Sequence, residues 1–275
     1  MPLRIWLEIF FIGLACGITV ILLVVRFVRA LKHGSVGGSF RSVVALLLLI
    51  GLGLLTAAMV LSCFNPFGGG AVCSGPRDKK SVALTFDDGP NEPHTSAILD
   101  ILKKNQVKAT FFLVGQNVER YPAAVGRILR DGHAIGNHTY SHRSLLFADG
   151  ATARREIEQW EGSVASFGPP SLRLFRAPHG WKNPLVLRAI AGKGYRLIGW
   201  SRGVWDSDRP GREVIFRRAT SHLKNGEIIL LHDGGGTQSG VDRNQTVMVL
   251  PSIIRYCRDR GFEFVTVPEM LGAGR

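Results

Sequence analysis

Between residues 82 and 267, seven short apolar runs alternate with stretches of helical period, and this alternation is what most limits the fold. The runs at 82–86, 109–114, 133–137, 172–176, 196–201, 227–232 and 262–267 read as strands. The intervals 95–104, 122–130, 152–166, 183–193, 212–223 and 246–260 read as helices. Strand then helix, repeated, predicts a parallel sheet with helices outside it. Seven strands suit a closed or nearly closed, distorted (β/α) barrel better than a small open sheet. Sites in such architectures form at the carboxyl ends of the strands, so reactive residues are sought there.

The chain upstream has a different character. Residues 5–25 carry one charge, Glu8, and residues 43–64 carry none. Each reaches the roughly 20 apolar residues that cross a bilayer as helix. Two transmembrane helices are therefore expected; the lengths argue against two core helices. Arg26, Arg29, Lys32 and Arg41 lie between them and only Arg4 precedes them, which places that loop in the cytoplasm and everything after Phe64 outside it. A cleaved signal peptide would need a small-residue site, which Val25-Arg26 does not offer. The VLSC at 60–63 loosely resembles a lipoprotein cleavage box but lies too deep in the chain. The expected organisation is a membrane anchor over 1–64, a Gly/Pro-rich linker over 65–80 and an α/β domain over 81–275.

Net charge is +13, and residues 1–64 hold five Lys/Arg and one Glu, which leaves +9 for the rest. A basic domain beside a membrane meets anionic lipid or cell-wall polymer, unless the charge is merely a solvated surface. No nucleic-acid-binding signature is present. Cys63 and Cys73 flank a Gly-rich turn outside the expected membrane, as a disulfide or as two thiols. No CxxC occurs, which argues against a sulfur-based zinc site.

Five strand ends carry reactive groups: Asp87-Asp88, then HTYSH at 138–142, RAPHG at 176–180, WSRGVWDSD at 200–208 and LHD at 231–233. The four-residue spacing of His138 and His142 puts two imidazoles on one face of a helical turn, as a shared metal requires. An aspartate from a neighbouring strand end completes a two-His, one-carboxylate site with positions open for water and substrate. The pair Asp87-Asp88 then divides into one ligand and one free base. A divalent cation between them offsets their repulsion. The residues alone do not assign the two roles.

TFDDGP, HTYSH, RAPHG and LLHD, in that order over residues 81–271, closely resemble the polysaccharide deacetylases of carbohydrate esterase family four, the NodB-homology domain. The resemblance implies that Asp87 is the general base and that Asp88, His138 and His142 are the metal ligands. It further implies that Arg176 steadies Asp87 and that the His179 backbone N–H helps hold the oxyanion. His232 is then the general acid, and Leu230 lines the acetyl pocket. Such catalysis needs charge stabilisation at oxygen and a proton for the departing nitrogen. The implied metal is zinc, with cobalt, nickel and manganese also suited to the ligand set.

One motif departs from the family pattern. Relatives carry Asp-x-x-Asp-Trp after the fifth strand; here Gly203, Asp206 and Ser207 align with the first aspartate, the second and the tryptophan, and Trp205 precedes Asp206. Asp206 is either the partner of His232 or an ordinary loop carboxylate. Pro178, His179, Gly180, Trp181, Trp205 and Leu230 make the expected substrate-binding set, with Trp181 either stacking on a sugar or packing at the rim. Thr95 is read as a helix cap, and His33, His133 and His222 as structural or solvated.

The expected activity is metal-dependent removal of acetate from N-acetylhexosamine in peptidoglycan, a chitin-like oligomer or exported poly-N-acetylglucosamine. A deacylase or deformylase of a lipid-linked sugar is the alternative enzyme. A glycan-binding protein with a decayed site is the alternative outside catalysis, supported only by the altered motif.

Overall fold

The protein is described here by a computed structural model covering residues 70–170 and 172–272, with isolated positions between 22 and 53. The expected spans at 5–25 and 43–64 fall mostly outside the described residues, and Cys63 lies outside them. Among the described residues no helix is long and apolar enough to cross a membrane. The chain divides into two units, Met1–Leu61 and Ser62–Arg275, and the second carries the fold described below.

Among the described residues eight strands run parallel to one another. They are β1 (Ser81–Asp87), β2 (Thr110–Leu113), β3 (Ala134–Asn137), β4 (Leu174–Phe175), β5 (Arg196–Leu197), β6 (Arg202–Gly203), β7 (Glu227–His232) and β8 (Glu263–Phe264). Seven lie in the order β5-β4-β3-β2-β1-β7-β6, and β8 pairs with β1. Strand β1 is buried along its whole length, as expected of a central strand covered on both faces. Its far end pairs with β2 from Thr85 onward, while β8 pairs only with Ser81 and Val82 at its start. The helices are α1 (His94–Lys104), α2 (Gly115–Arg120), α3 (Pro122–Arg130), α4 (Gly150–Val164), α5 (Pro184–Gly192), α6 (Arg212–Thr220), α7 (Asn244–Asp259) and α8 (Val267–Met270).

The core forms where the apolar stripes of these helices meet the sheet. Phe86 and Phe111 stack with centroids 5.1 Å apart, against Ile98, Leu99 and Leu102 of α1 and Ile253 and Ile254 of α7. Trp160 of α4 is buried, and its indole N–H donates to the Leu113 carbonyl at 2.7 Å. Burial of the indole is thus matched by a partner for its one polar group.

The expected nearly closed barrel is an open half-barrel instead. The strand expected over 196–201 is broken: Arg196–Leu197 pairs with β4, and Arg202–Gly203 pairs with β7. Only four residues join β5 to β6, far fewer than the dozen or more that connect paired parallel strands. The two therefore cannot be neighbours and stand at opposite edges. The stretch 72–75, read as linker, lies across this opening. Val72 N–H donates to the Leu197 carbonyl and Gly199 N–H to the Val72 carbonyl, at 2.8 and 2.9 Å. Ser74 bridges to Glu227 at the base of β7, and Gly75 N–H donates to the Gly226 carbonyl at 2.8 Å. Cys73 in this stretch is disulfide-bonded, and Cys257 is a buried free thiol. The partner of Cys73 lies outside the described residues.

Helix α2 was not expected. It is six residues long and is cut off by Tyr121-Pro122, where proline at the first position opens α3. Its value is positional, because it starts two residues after β2 and carries Asn117 into the site. Phe111→Ala removes a ring from the centre of the core and is expected to lower unfolding free energy by about 3–5 kcal/mol in urea denaturation.

Candidate active site

The carboxyl ends of β1, β3, β4 and β7, together with the turn after β6, converge on one cleft. Strand β1 delivers Asp87 in extended backbone and then turns sharply at Asp88, whose φ is 75°. That conformation costs a non-glycine residue free energy and persists only where its surroundings enforce it. Two features do so. The Asn117 side-chain amide donates to the Asp88 carbonyl at 2.9 Å and to the Gly236 carbonyl at 2.7 Å. Gly234 packs on the Asp88 carbonyl so closely that a Cβ there would overlap it. His142, His179 and Trp205 also have positive φ, at 54°, 58° and 54°, so with Asp88 four such positions lie around this cleft.

The two aspartates face different partners. Asp87 Oδ1 accepts from Arg176 Nη1 at 2.6 Å, while Asp87 Oδ2 is 3.9 Å from His138 Nε2. Asp88 Oδ1 lies 3.3 Å from His138 Nε2 and 2.8 Å from His142 Nε2. Burial alone would raise the Asp88 carboxyl. The charge of His142 and hydrogen bonds from both imidazoles outweigh it and hold the group well below its ordinary value.

The histidines are aimed by groups behind them. His138 Nδ1 lies 2.8 Å from the Arg176 carbonyl. A carbonyl only accepts, so Nδ1 carries a proton, which leaves Nε2 as the nitrogen that would face a metal. The turn between the histidines is held by Glu156 of α4. This buried carboxylate accepts from Tyr140 N–H at 3.0 Å, Ser141 N–H at 2.8 Å and Ser141 Oγ at 2.7 Å. His142 is backed by Gly236, where a Cβ would come within 2.7 Å of Nδ1. The ligand atoms of Asp88, His138 and His142 lie within 4.8 Å of one another. One carboxylate oxygen and two imidazole nitrogens converging in this way suit a single divalent metal.

Arg176 is completely buried. Besides Asp87, Nη1 donates to Thr85 Oγ1 at 2.8 Å, Nη2 to the Gly199 carbonyl at 2.8 Å, and Nε to the Ile198 carbonyl at 3.4 Å. Its guanidinium carbon sits 4.0 Å from the Phe112 ring centroid. On the neighbouring strand, in register with Asp87 at the end of β7, His232 Nδ1 is 2.8 Å from Asp206 Oδ1. Asp206 Oδ2 accepts from the His232 N–H at 2.9 Å and from Thr246 Oγ1 at 2.7 Å. Burial disfavours the imidazolium of His232, but the charge of Asp206, its hydrogen bond, and the charges of Asp88 and Asp87 outweigh this and push the group up to about 9.

The geometry thus joins Asp206 to His232 despite the altered motif around it. Leu230 is buried two residues before His232, in register with Thr85 and Gly203. Pro178 is buried, and the His179 ring is 5.1 Å from that of His142 and 5.2 Å from that of Trp181. Gly180 meets the Trp200 indole, where a Cβ would be 2.8 Å away. Trp200 also packs over Gly203; Trp205 reaches the same glycine but is largely exposed. Thr95 does not cap α1. Its hydroxyl accepts from Asn91 N–H at 2.8 Å and donates to Asp233 Oδ2 at 2.6 Å. His133 is structural: its buried Nδ1 accepts from Ala109 N–H at 3.1 Å.

Sequence reasoning missed Asn117, Glu156, Trp200 and Asp233. Asp233 is fully buried between the Thr95 hydroxyl and Gly89, and burial, with the charges of Asp88 and Asp87, pushes its carboxyl up to about 7. A Cβ at Gly89 would overlap this carboxyl. The LHD at a strand end contained the only signal for it.

Comparison with known proteins matches this arrangement. Residues 74–198 match the polysaccharide deacetylase family. A peptidoglycan-N-acetylglucosamine deacetylase of Bacillus cereus is 36% identical over 201 residues, covering 71% of this chain and 90% of the relative. The chain belongs to the polysaccharide deacetylase family. It is an enzyme of that family, a hydrolase of carbohydrate esterase family four. A chitooligosaccharide deacetylase of Bradyrhizobium sp. is 36% identical over 70% of this chain and 90% of its own length. A crystal structure of a peptidoglycan N-acetylglucosamine deacetylase superposes with a TM-score of 0.67 at 35% identity, covering 72% of this chain and 91% of that one. A CE4 family pseudoenzyme from Bacillus anthracis shares the fold with the same TM-score at 24% identity, so fold alone does not argue for activity. The residues of the cleft must do so.

Asp206→Asn removes the charge that most favours the His232 imidazolium. The proton is then lost at lower pH, and the basic limb of the kcat/KM profile of this deacetylase is expected to move toward acid by about 1–2 pH units.

Proposed function

We propose that this polysaccharide deacetylase hydrolyses the N-acetyl group of N-acetylglucosamine residues in peptidoglycan or chitooligosaccharide chains, with Asp87 as general base and His232 as general acid. The observation that carries the reading is the pairing of two oppositely supported groups, Asp87 and His232, in register on β1 and β7 at the strand ends that also carry Asp88. Asp87 is hydrogen-bonded by a buried arginine, and His232 is held as a proton donor by a buried aspartate. The likeness to a peptidoglycan-N-acetylglucosamine deacetylase and to a chitooligosaccharide deacetylase supports the acetylated glucosamine unit.

One divalent metal held by Asp88, His138 and His142 would polarise the acetyl carbonyl and acidify water in the cleft. Asp87 takes a proton from the attacking water through Oδ2, since Arg176 occupies Oδ1. Arg176 also fixes that carboxylate in place, because its fork is anchored on Thr85, Ile198 and Gly199. As the C–O bond forms, negative charge gathers on the former carbonyl oxygen, and the His179 N–H in the turn at 178–180 is assigned to it. His232 then gives its Nε2 proton to the amide nitrogen. The C–N bond breaks, acetate leaves, and the sugar keeps a free amine. Asp206 holds His232 Nδ1 throughout and so fixes which nitrogen faces the substrate. Leu230 lines the space for the acetyl methyl; Pro178, Gly180, Trp181 and Trp205 border the sugar. Zinc is the proposed metal, with cobalt, nickel or manganese accepted by the same ligand set.

The proposal extends to location. The apolar stretches at 5–25 and 43–64 and the basic loop between them support two transmembrane helices with the deacetylase domain outside the cytoplasm.

The test is acetate release from chitooligosaccharides and from peptidoglycan by the zinc-loaded enzyme, with Asp87→Asn alongside. Wild type is expected to release acetate from at least one, and Asp87→Asn to be slower by about 10²–10⁴-fold while still binding metal. No acetate from either glycan with metal bound, and release from a lipid-linked acetylated sugar instead, would overturn the substrate assignment.

A further inference from the structure

The charge of this domain is concentrated on one face, which lies opposite the active site. All strands are parallel, so their amino-terminal ends share a face with the carboxyl ends of the helices that precede them. The segments 77–80, 103–108, 130–131, 193–196, 217–224 and 258–263 make that face. They hold 14 Lys/Arg and 4 Asp/Glu. The catalytic-side segments 87–94, 114–122, 138–150, 176–184, 204–212 and 232–243 hold 7 and 9. Over residues 70–272 the totals are 28 and 20. The basal face therefore carries more positive charge than the net of the whole described domain, and the catalytic side is slightly acidic.

This charge is available for binding. All of the basal cations are exposed except Lys193, which is half-buried and pairs with Glu158 at 2.6 Å. Among the described residues, no other member of the set makes an ion pair, and one of the four carboxylates, Asp131, is already paired with Arg127. The basal loops are tied to each other, so the cations are presented on a fixed frame. Arg77 donates to the Asn225 carbonyl at 2.7 Å and Asn225 returns a bond to the Arg77 carbonyl at 3.0 Å. Lys108 reaches the Asp131 carbonyl, and Arg258 reaches the Asn105 carbonyl. Basic residues at helix carboxyl ends do complement the helix dipole. That effect accounts for Lys103 and Lys104, or Arg217 and Arg218, but not for Arg77, Lys79, Lys80, Lys108 and Lys224, which lie outside helices.

We propose that this basal face docks on an anionic phospholipid surface and so presents the active site away from the bilayer. Charge complementarity favours such a surface, since each Lys or Arg near an anionic leaflet is worth about a fivefold in binding. The route of the chain favours lipid over a cell-wall polymer: residues 74–77 join the domain at this same face, beside Gly226 and Asn225, and the apolar stretch 43–64 lies just upstream in sequence. The inference does not rest on the catalytic assignment.

The test compares amide hydrogen exchange of the full chain in vesicles of phosphatidylcholine alone and of phosphatidylcholine mixed with phosphatidylglycerol. Exchange in the segments 103–108 and 217–224 is expected to slow only with phosphatidylglycerol, and the protection to be lost at high salt. The charge reversals K104E, K108E, R217E and K224E together are expected to abolish the protection. Acetate release from a soluble chitooligosaccharide checks that this variant is folded. Equal exchange in both lipids would overturn the proposal. Protection by isolated peptidoglycan and not by phosphatidylglycerol would overturn it in favour of a polymer-binding face.

Discussion

The site depends on one buried guanidinium. Taking an arginine out of water is costly unless its charge is paired and each N–H finds an acceptor. Arg176 meets both conditions with Asp87, Thr85, Ile198 and Gly199. Through these bonds it ties β1 to the chain leaving β5, across the sheet. Its own carbonyl, at the end of β4, accepts from His138 Nδ1. One residue thus orients a carboxylate with its side chain and a metal-binding imidazole with its backbone. A lysine could supply the charge, but not the fork that reaches several acceptors at once.

That arrangement answers why two aspartates stand side by side at the end of a buried strand. Three carboxylates, Asp87, Asp88 and Asp233, crowd the carboxyl ends of β1 and β7. Each meets a different fate. Asp87 is matched by Arg176, Asp88 by His138 and His142, and Asp233 is pushed up to about 7 by its burial. The turn at Asp88 separates the first two, so that neighbouring residues in sequence look toward different partners. The strain of that turn is held by Asn117 and by the close approach of Gly234.

Much of this was legible in the sequence because the reactive residues sit in short motifs at strand ends, and strand ends in a parallel sheet share one face. Six of the seven expected strands appear, the one expected over 196–201 is split, and helix α3 matches its expected bounds. What was not legible depends on contacts between distant segments. Glu156 lies mid-helix, with nothing in its neighbourhood to mark it as the anchor of the turn at 140–141. Asn117 sits on a helix too short to show a period. The break between β5 and β6 was hidden because 196–201 reads as one apolar run, and only the four-residue connection prevents the two halves from pairing. Asp206 was half legible. Its position relative to the family motif was clear, but the surrounding tryptophan is displaced, and it is the contacts with His232 that join it to the site.

The central claim is that Asp88 holds a metal with His138 and His142 while Asp87 does not. Metal content per chain, measured for wild type, Asp87→Asn and Asp88→Asn after loading with zinc and removal of excess, tests it directly. One equivalent in wild type and in Asp87→Asn, with loss from Asp88→Asn, is the predicted result. Loss from Asp87→Asn with retention in Asp88→Asn would contradict the account.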